Sequence, residues 1–90
     1  MTRPRLDLTE AFGLAIREAR LKAGLSQERL AELAGLHRTY VSDLERGLTS
    51  ISVRKLEHLA SALDTKPHLL VKAAERRLDS QIPSPEPVAP

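Results

Sequence analysis

Residues 26–47 decide the fold of this chain, and they read SQERLAELAGLHRTYVSDLERG. Ser26 is a residue type that caps helices, and the apolar residues that follow it recur at helical spacing. Gly35 suits the left-handed conformation in which many helices end. A second helix is predicted to begin near His37 and to close at Gly47, another glycine stop. The stretch therefore predicts two short helices joined by a tight turn.

The second of these helices has one apolar and one polar side. At about 100° per residue, the apolar side gathers Tyr40, Val41 and Leu44. The polar side gathers Arg38, Thr39, Ser42, Asp43 and Arg46. Because the apolar side must face the core, the polar side forms an outward ridge that fits the major groove of B-form DNA. Ala31 and Gly35 are small enough for the two helices to approach closely, so the pattern indicates a helix-turn-helix.

The combined pattern GLSQ…LA…G…V…LERG resembles the lambda-repressor-like (Cro/C1, or XRE-type) transcriptional regulators. Within it, GLHRTYVSDLERG is similar to the controller proteins of restriction–modification systems. The resemblance spans about residues 11–71. It implies an all-α, compact five-helix domain in which helices 2 and 3 form the helix-turn-helix. It also implies sequence-specific binding of double-stranded DNA by a homodimer on a palindromic operator.

The expected DNA-binding residues are Gln27, Arg38, Thr39, Tyr40, Ser42 and Arg46. By resemblance, Gln27 touches the DNA backbone and supports the first reading residue, which here is Arg38. An arginine there offers two coplanar donors that match O6 and N7 of guanine. Thr39 is expected to touch a thymine methyl or a phosphate, and Ser42 to make a short, adaptable contact. Tyr40 is expected to lie half in the core and half against the DNA backbone, and Arg46 to meet a phosphate.

Two further expectations concern packing. In repressors of this family an arginine and a glutamate form a partly buried ion pair between helices 1 and 3, and the resemblance gives that role to Arg20 and Glu45. Helix 5 is predicted to begin at Pro67, because proline is favoured at a first helical position. Leu69 and Val71 are expected to point away from its core-facing stripe. Exposed aliphatic side chains on so small a domain indicate a partner surface, so both are predicted to lie in the homodimer interface.

The chain of 90 residues predicts one domain between two short segments. Residues 1–6 form a basic N-terminal arm, and residues 7–78 form the DNA-binding domain, which opens with a capping box between Asp7 and Glu10. Residues 79–90 are rich in proline, which fixes φ and removes backbone donors. This tail is therefore predicted to be extended rather than helical.

Composition argues against several other kinds of protein. There are no cysteines, and the three histidines lack metal-binding spacing. No serine has an evident paired histidine and aspartate, and no apolar run approaches the ~20 residues that cross a bilayer. The start of the chain lacks the apolar core of a signal peptide. We therefore predict a cytoplasmic non-enzyme that binds no metal, cofactor, small-molecule ligand or membrane.

The net charge of +2 is too small to indicate a nucleic-acid partner, so that expectation depends on where the charges point. A second hypothesis stays open at this stage. An antitoxin that binds a toxin protein and regulates its own operon carries the same helix-turn-helix domain. A neighbouring toxin gene would favour the antitoxin, and a neighbouring restriction endonuclease gene would favour the controller.

Overall fold

Five helices make up the part of the chain that the computed structural model describes, residues 6–81. They are α1 (Leu8–Lys22), α2 (Gln27–Ala34), α3 (Arg38–Glu45), α4 (Val53–Ala62) and α5 (Pro67–Gln81). The described residues contain no strand, and the expected all-α, five-helix fold with α2 and α3 as the helix-turn-helix is confirmed. Most of the predicted arm and tail, residues 1–5 and 82–90, lies outside the described residues.

Local side-chain hydrogen bonds start three of the helices. At α1 the Glu10 amide donates to Asp7 Oδ1 over 2.9 Å, and the Asp7 amide donates to Glu10 Oε1 over 3.1 Å. These two bonds form the predicted capping box. The hydroxyl of Ser26 caps α2 by accepting from a backbone amide, and the hydroxyl of Ser52 caps α4 in the same way. The first turns of α1, α2 and α4 are therefore fixed by short-range contacts.

Four helix ends share one closing geometry. The residue after the last turn adopts positive φ at Gly24, Gly35, Gly47 and Asp64. At the end of α3, the amides of Gly47 and Leu48 donate back to the carbonyls of Leu44 and Asp43, over 3.1 and 2.9 Å. This pattern is a Schellman motif, which satisfies carbonyls that the helix itself leaves unpaired. Helix α3 thus ends at a defined position.

The core contains side chains from every helix, and α1 lies at its centre. Helix α1 packs against both α5 and α3, while α2 packs against α3 and α4. The largest fully buried side chains are Ile16, Leu30, Val41, Leu44 and Leu59. With one phenylalanine and one tyrosine in the whole sequence, aliphatic burial supplies most of the apolar contact that holds these helices together.

Helix α5 differs from the sequence-based expectation at its end. It continues to Gln81, so the first three residues of the predicted tail are helical. The nearest proline is Pro83, and nothing in residues 79–81 prevents helical backbone. Helix α5 therefore extends three residues beyond the predicted boundary at residue 78.

Leu69 and Val71, both expected to point away from the core-facing stripe of α5, lie on different sides of that helix. Leu69 is 44% exposed and borders a hollow on the side of α5 that faces Ala15 and Leu63. Val71 is half-buried and packs against the core beside Phe12, in a different hollow. Residues two apart on a helix are separated by about 200°, which explains why the two side chains diverge.

Candidate nucleic-acid interface

Helix α3 presents a polar ridge away from the core. Its side chains Val41 and Leu44 are buried, whereas Arg38 and Thr39 are exposed at its first turn. The rest of the ridge consists of half-buried Ser42 and Asp43 and exposed Arg46. The arrangement follows from the helical period, because burying the apolar side leaves the polar side outward. Hydrogen-bond donors and acceptors therefore project from one face over the whole length of α3.

Tyr40 connects this ridge to the segment that follows it. The side chain is half-buried, and its hydroxyl donates to the carbonyl oxygen of Ser50 over 3.0 Å. The ammonium of Lys55 lies 4.2 Å from the centre of its ring, which is cation–π geometry. Burial raises the pKa of Tyr40, so the phenol stays protonated and able to donate. The α3–α4 loop and the first turn of α4 are thereby attached to the flank of α3.

The C-terminal end of α3 is tied to α1 by an ion pair between Arg20 and Glu45. Arg20 Nε lies 2.6 Å from Glu45 Oε2, and Arg20 Nη2 lies 3.0 Å from Glu45 Oε1. The remaining Arg20 nitrogen, Nη1, donates to the carbonyl oxygen of Leu25 over 2.9 Å. Both residues are buried, and the hydrogen bond to Glu45 raises the pKa of Arg20. The two-pronged geometry fixes the orientation of α3 as well as its distance from α1.

Gln27 extends this network to α2. Its Nε2 donates to Glu45 Oε1 over 3.1 Å, so the side chain supports the C-terminal end of α3. The resemblance places that support at Arg38, at the opposite end of the helix. The structure differs because Glu45 is a buried carboxylate that accepts further donors, whereas Arg38 is exposed. Arg20, Glu45 and Gln27 together connect α1, α2 and α3 at one point.

The surface around α3 is more basic than the net charge of the whole sequence suggests. The carboxylate of Glu45 is buried against Arg20, and Arg29 forms an ion pair with Glu32 on the outer side of α2. On the ridge itself the exposed arginines are Arg38 and Arg46, with one half-buried carboxylate, Asp43. The first turn of α4 adds two more exposed bases, Arg54 and Lys55. The surface around α3 therefore favours a polyanion even though the net charge is only +2.

Two other kinds of feature are absent from residues 6–81. No group of three or more histidine, aspartate or glutamate residues is placed to hold a metal ion in that range. None of the helices described there is long and apolar enough to cross a membrane.

The sequence-based predictions do not include one residue of this region, Gly13. Gly13 lies buried in α1, where its backbone meets the last turn of α3. The available signal was a glycine isolated inside a helical pattern, which costs stability unless close packing requires it. The carbonyl acceptors at Leu25 and Ser50 have no comparable signal, because every residue type offers a backbone carbonyl.

Comparison with known proteins assigns the class. The helix-turn-helix family model matches residues 16–70, which include all of α2, α3 and α4. The chain belongs to this family, the lambda-repressor-like or XRE type of transcriptional regulators.

Within the family, the chain is similar to controller proteins. It is 46% identical over 57 residues to the control protein C.BamHI of Bacillus amyloliquefaciens, covering 62% of this chain and 70% of that protein. The crystal structure of the restriction–modification controller protein C.AhdI from Aeromonas hydrophila aligns with a TM-score of 0.68 at 48% identity. That alignment covers 71% of this chain and 96% of C.AhdI.

A third relative was solved with DNA. The controller protein C.Esp1396I, as a tetramer in complex with its natural 35-base-pair operator, aligns with a TM-score of 0.73 at 26% identity. The match covers 82% of this chain and 97% of that one.

Proposed function

We propose that this protein is a sequence-specific double-stranded DNA-binding transcriptional regulator that reads its operator with α3. The observation that carries the proposal is the outward polar ridge of α3, which is held rigidly from behind by the Arg20–Glu45–Gln27 network. A helix presented in this way fits the major groove, where base edges can be distinguished. The operator complex of the related C.Esp1396I supports the same use of this fold.

The individual contacts divide into base reading and phosphate binding. Arg38 is exposed at the start of α3 and is the proposed base reader, with guanine as its best partner. Thr39 and Ser42 are proposed to make the shorter contacts beside it. Arg46 is proposed to bind phosphate at the other end of the helix. Such a division gives register from the backbone and specificity from the bases.

Two more polar residues are proposed to contact the DNA backbone. Gln27 uses one amide hydrogen on Glu45, which leaves a second N–H beside the N-terminus of α2, where phosphate is favoured. Tyr40 is held by Ser50 and is proposed to present the edge of its ring to the same strand.

We propose further that the protein binds as a two-fold dimer on a palindromic operator. Two surfaces of α5 are candidate interfaces: one includes Val71 and the other includes Leu69. The hollow beside Val71 measures about 200 Å³ and has no charged residue in its lining, which includes Leu8, Phe12, Ile51 and Leu56. The hollow beside Leu69 is bordered by charged side chains, among them Glu18, Lys22, Arg76 and Arg77. Uncharged apolar surface suits the centre of an interface, so the Val71 side is favoured.

The similarity to C.BamHI and C.AhdI favours control of a restriction–modification operon over the antitoxin alternative. The proposed mechanism is binding alone, without catalysis, cofactor or small-molecule ligand, and the proposed location is the cytoplasm. Regulation then depends on protein concentration and on occupancy of the operator.

Selection of bound DNA from a random pool tests the proposed function. The expected product is a palindrome whose half-sites lie about 10–10.5 bp apart or a multiple of that spacing. Failure to enrich any sequence would contradict the proposal.

Sedimentation of two variants then locates the interface. Val71→Asp is expected to shift the protein towards monomer, because a charge enters an apolar surface that the two-fold axis repeats. Leu69→Asp is the matched control on the same helix and is expected to remain dimeric. The reverse outcome would move the interface to the Leu69 side.

A further inference from the structure

Helix α1 and the end of α3 lie so close together that their backbones leave no room for a side chain between them at Gly13. A Cβ atom built on Gly13 would lie 2.2 Å from the carbonyl oxygen of Leu44 and 3.0 Å from that of Glu45. Gly13 lies within α1 and is not among the residues with positive φ, so its backbone does not require glycine. Glycine inside a helix is less stable than alanine by roughly 0.5–1 kcal/mol, so the residue is explained by the space that it leaves for α3.

A second glycine closes the same contact from the other side. Gly47, which follows the C-cap residue Arg46 of α3, would place a Cβ 2.9 Å from Cγ and 3.1 Å from Cα of Glu10. Glu10 is itself fixed in the capping box of α1. Along α1, Glu10, Gly13 and Arg20 lie on one side, because their separations of three and seven residues match whole helical turns. Three contacts on a single stripe thus fix the height and tilt of α3.

Helix α1 connects this stripe to the opposite side of the domain. It packs against α5 as well as α3, and Glu18 of α1 forms an ion pair with Arg77 of α5. The proposed dimer interface contains α5 and the first turn of α1. A change in the distance between α3 and α1 therefore changes the distance between the reading helices of the two subunits.

From these contacts we infer that Gly13 is a positioning residue that sets the spacing of the two reading helices in the dimer. The inference rests on the proposed DNA-binding function and goes beyond it, because Gly13 faces α3 from inside the protein and is buried away from the ridge. In Gly13→Ala the new Cβ atom must move from 2.2 Å to at least 3.0 Å from the carbonyl oxygen of Leu44, which pushes α1 and α3 apart by about 0.8 Å. Both partners in this contact are backbone, so no side-chain rotation relieves it. The two-fold axis repeats the displacement in the second subunit.

The test compares the affinity for the selected palindrome with the affinity for an isolated half-site. Gly13→Ala is expected to weaken palindrome binding about tenfold, equivalent to losing one base contact, while changing half-site binding by less than about threefold. On palindromes with one base pair added or removed between the half-sites, the variant is expected to lose less than the wild type does at one of the altered spacings. A purely structural role would lower both affinities together.

Two further variants make the outcome decisive. Ile16→Val is the control: it shortens a buried side chain of the same helix and costs about 1 kcal/mol of stability without pushing on α3. Its ratio of palindrome to half-site affinity is expected to equal that of the wild type. Gly47→Asn introduces a residue that tolerates left-handed φ and adds a Cβ against Glu10. It is therefore expected to lower the ratio of palindrome to half-site affinity by a smaller factor than Gly13→Ala does. It decides the question if Gly13→Ala does not fold.

An unchanged ratio in Gly13→Ala, or in Gly47→Asn if the former is unfolded, would overturn the positioning role. If the wild type itself binds no selected sequence, the proposed function fails and the inference fails with it. These results are distinct, because the wild-type measurement comes first.

Discussion

Removal of Glu45 tests the network that holds α3 against α1. The side chains of Arg20 and Glu45 are only 10% and 3% exposed, so each is largely shielded from water in the folded domain. In Glu45→Ala, Arg20 keeps one of its three protein acceptors, the carbonyl oxygen of Leu25. Breaking a buried pair typically costs ~3–5 kcal/mol, and the remaining hydrogen bond places this case at the lower end, about 3 kcal/mol. For a domain of this size the melting midpoint falls by roughly 12–24 °C.

Thermal and urea denaturation followed by circular dichroism measure this cost. The double variant Arg20→Met/Glu45→Leu is expected to lose less than about 1.5 kcal/mol, because apolar replacements of similar size remove the uncompensated charge. Arg29→Ala is the surface control: it breaks an exposed ion pair with Glu32 and should cost less than about 0.5 kcal/mol. A buried, mutually dependent ion pair is excluded if Glu45→Ala is as stable as the Arg29 variant, or if the double variant is less stable than Glu45→Ala.

Three other outcomes follow from the structure. Arg46→Ala should weaken binding to every DNA sequence and lower the slope of log affinity against log salt by about one; an unchanged slope would remove Arg46 from the phosphate contacts. Asp64→Gly should stabilise the fold by about 0.5 kcal/mol, since glycine adopts the observed φ of 53° without strain; a lower melting midpoint would contradict this. Burial raises the pKa of Tyr40, so the native state holds that proton more tightly and stability is lost as pH rises above about 10. Tyr40→Phe should therefore lose less stability than the wild type in alkaline melts, and parallel curves would exclude the effect.

The elements that depend on short-range chemistry could be predicted from the sequence. The capping box at Asp7, the cap at Ser26 and the proline start of α5 each involve residues a few positions apart. The glycine stop of α2 is equally local, since Gly35 has a φ of 69°. The inward positions of α3 followed from its period alone.

The parts that were missed depend on which helix lies opposite. Gly35 is expected to allow close helix approach, yet a Cβ there would meet nothing within 4 Å, and the close approach occurs at Gly13 instead. Leu69 and Val71 both fall outside the predicted core-facing stripe of α5, but the helical period places them on different sides of the helix. The supporting role of Gln27 at Glu45 depends on the angle between α2 and α3, which no single-sequence pattern states.

Parallel selection from one random pool with the wild type and Arg38→Ala shows whether α3 reads DNA through Arg38. The variant is expected still to enrich the palindrome but to lose preference at one base pair per half-site, guanine in the wild type. Binding to the wild-type site should weaken by ~1–3 kcal/mol per half-site. Equal weakening on every sequence with an unchanged base preference would contradict base reading by Arg38 and make it a phosphate contact.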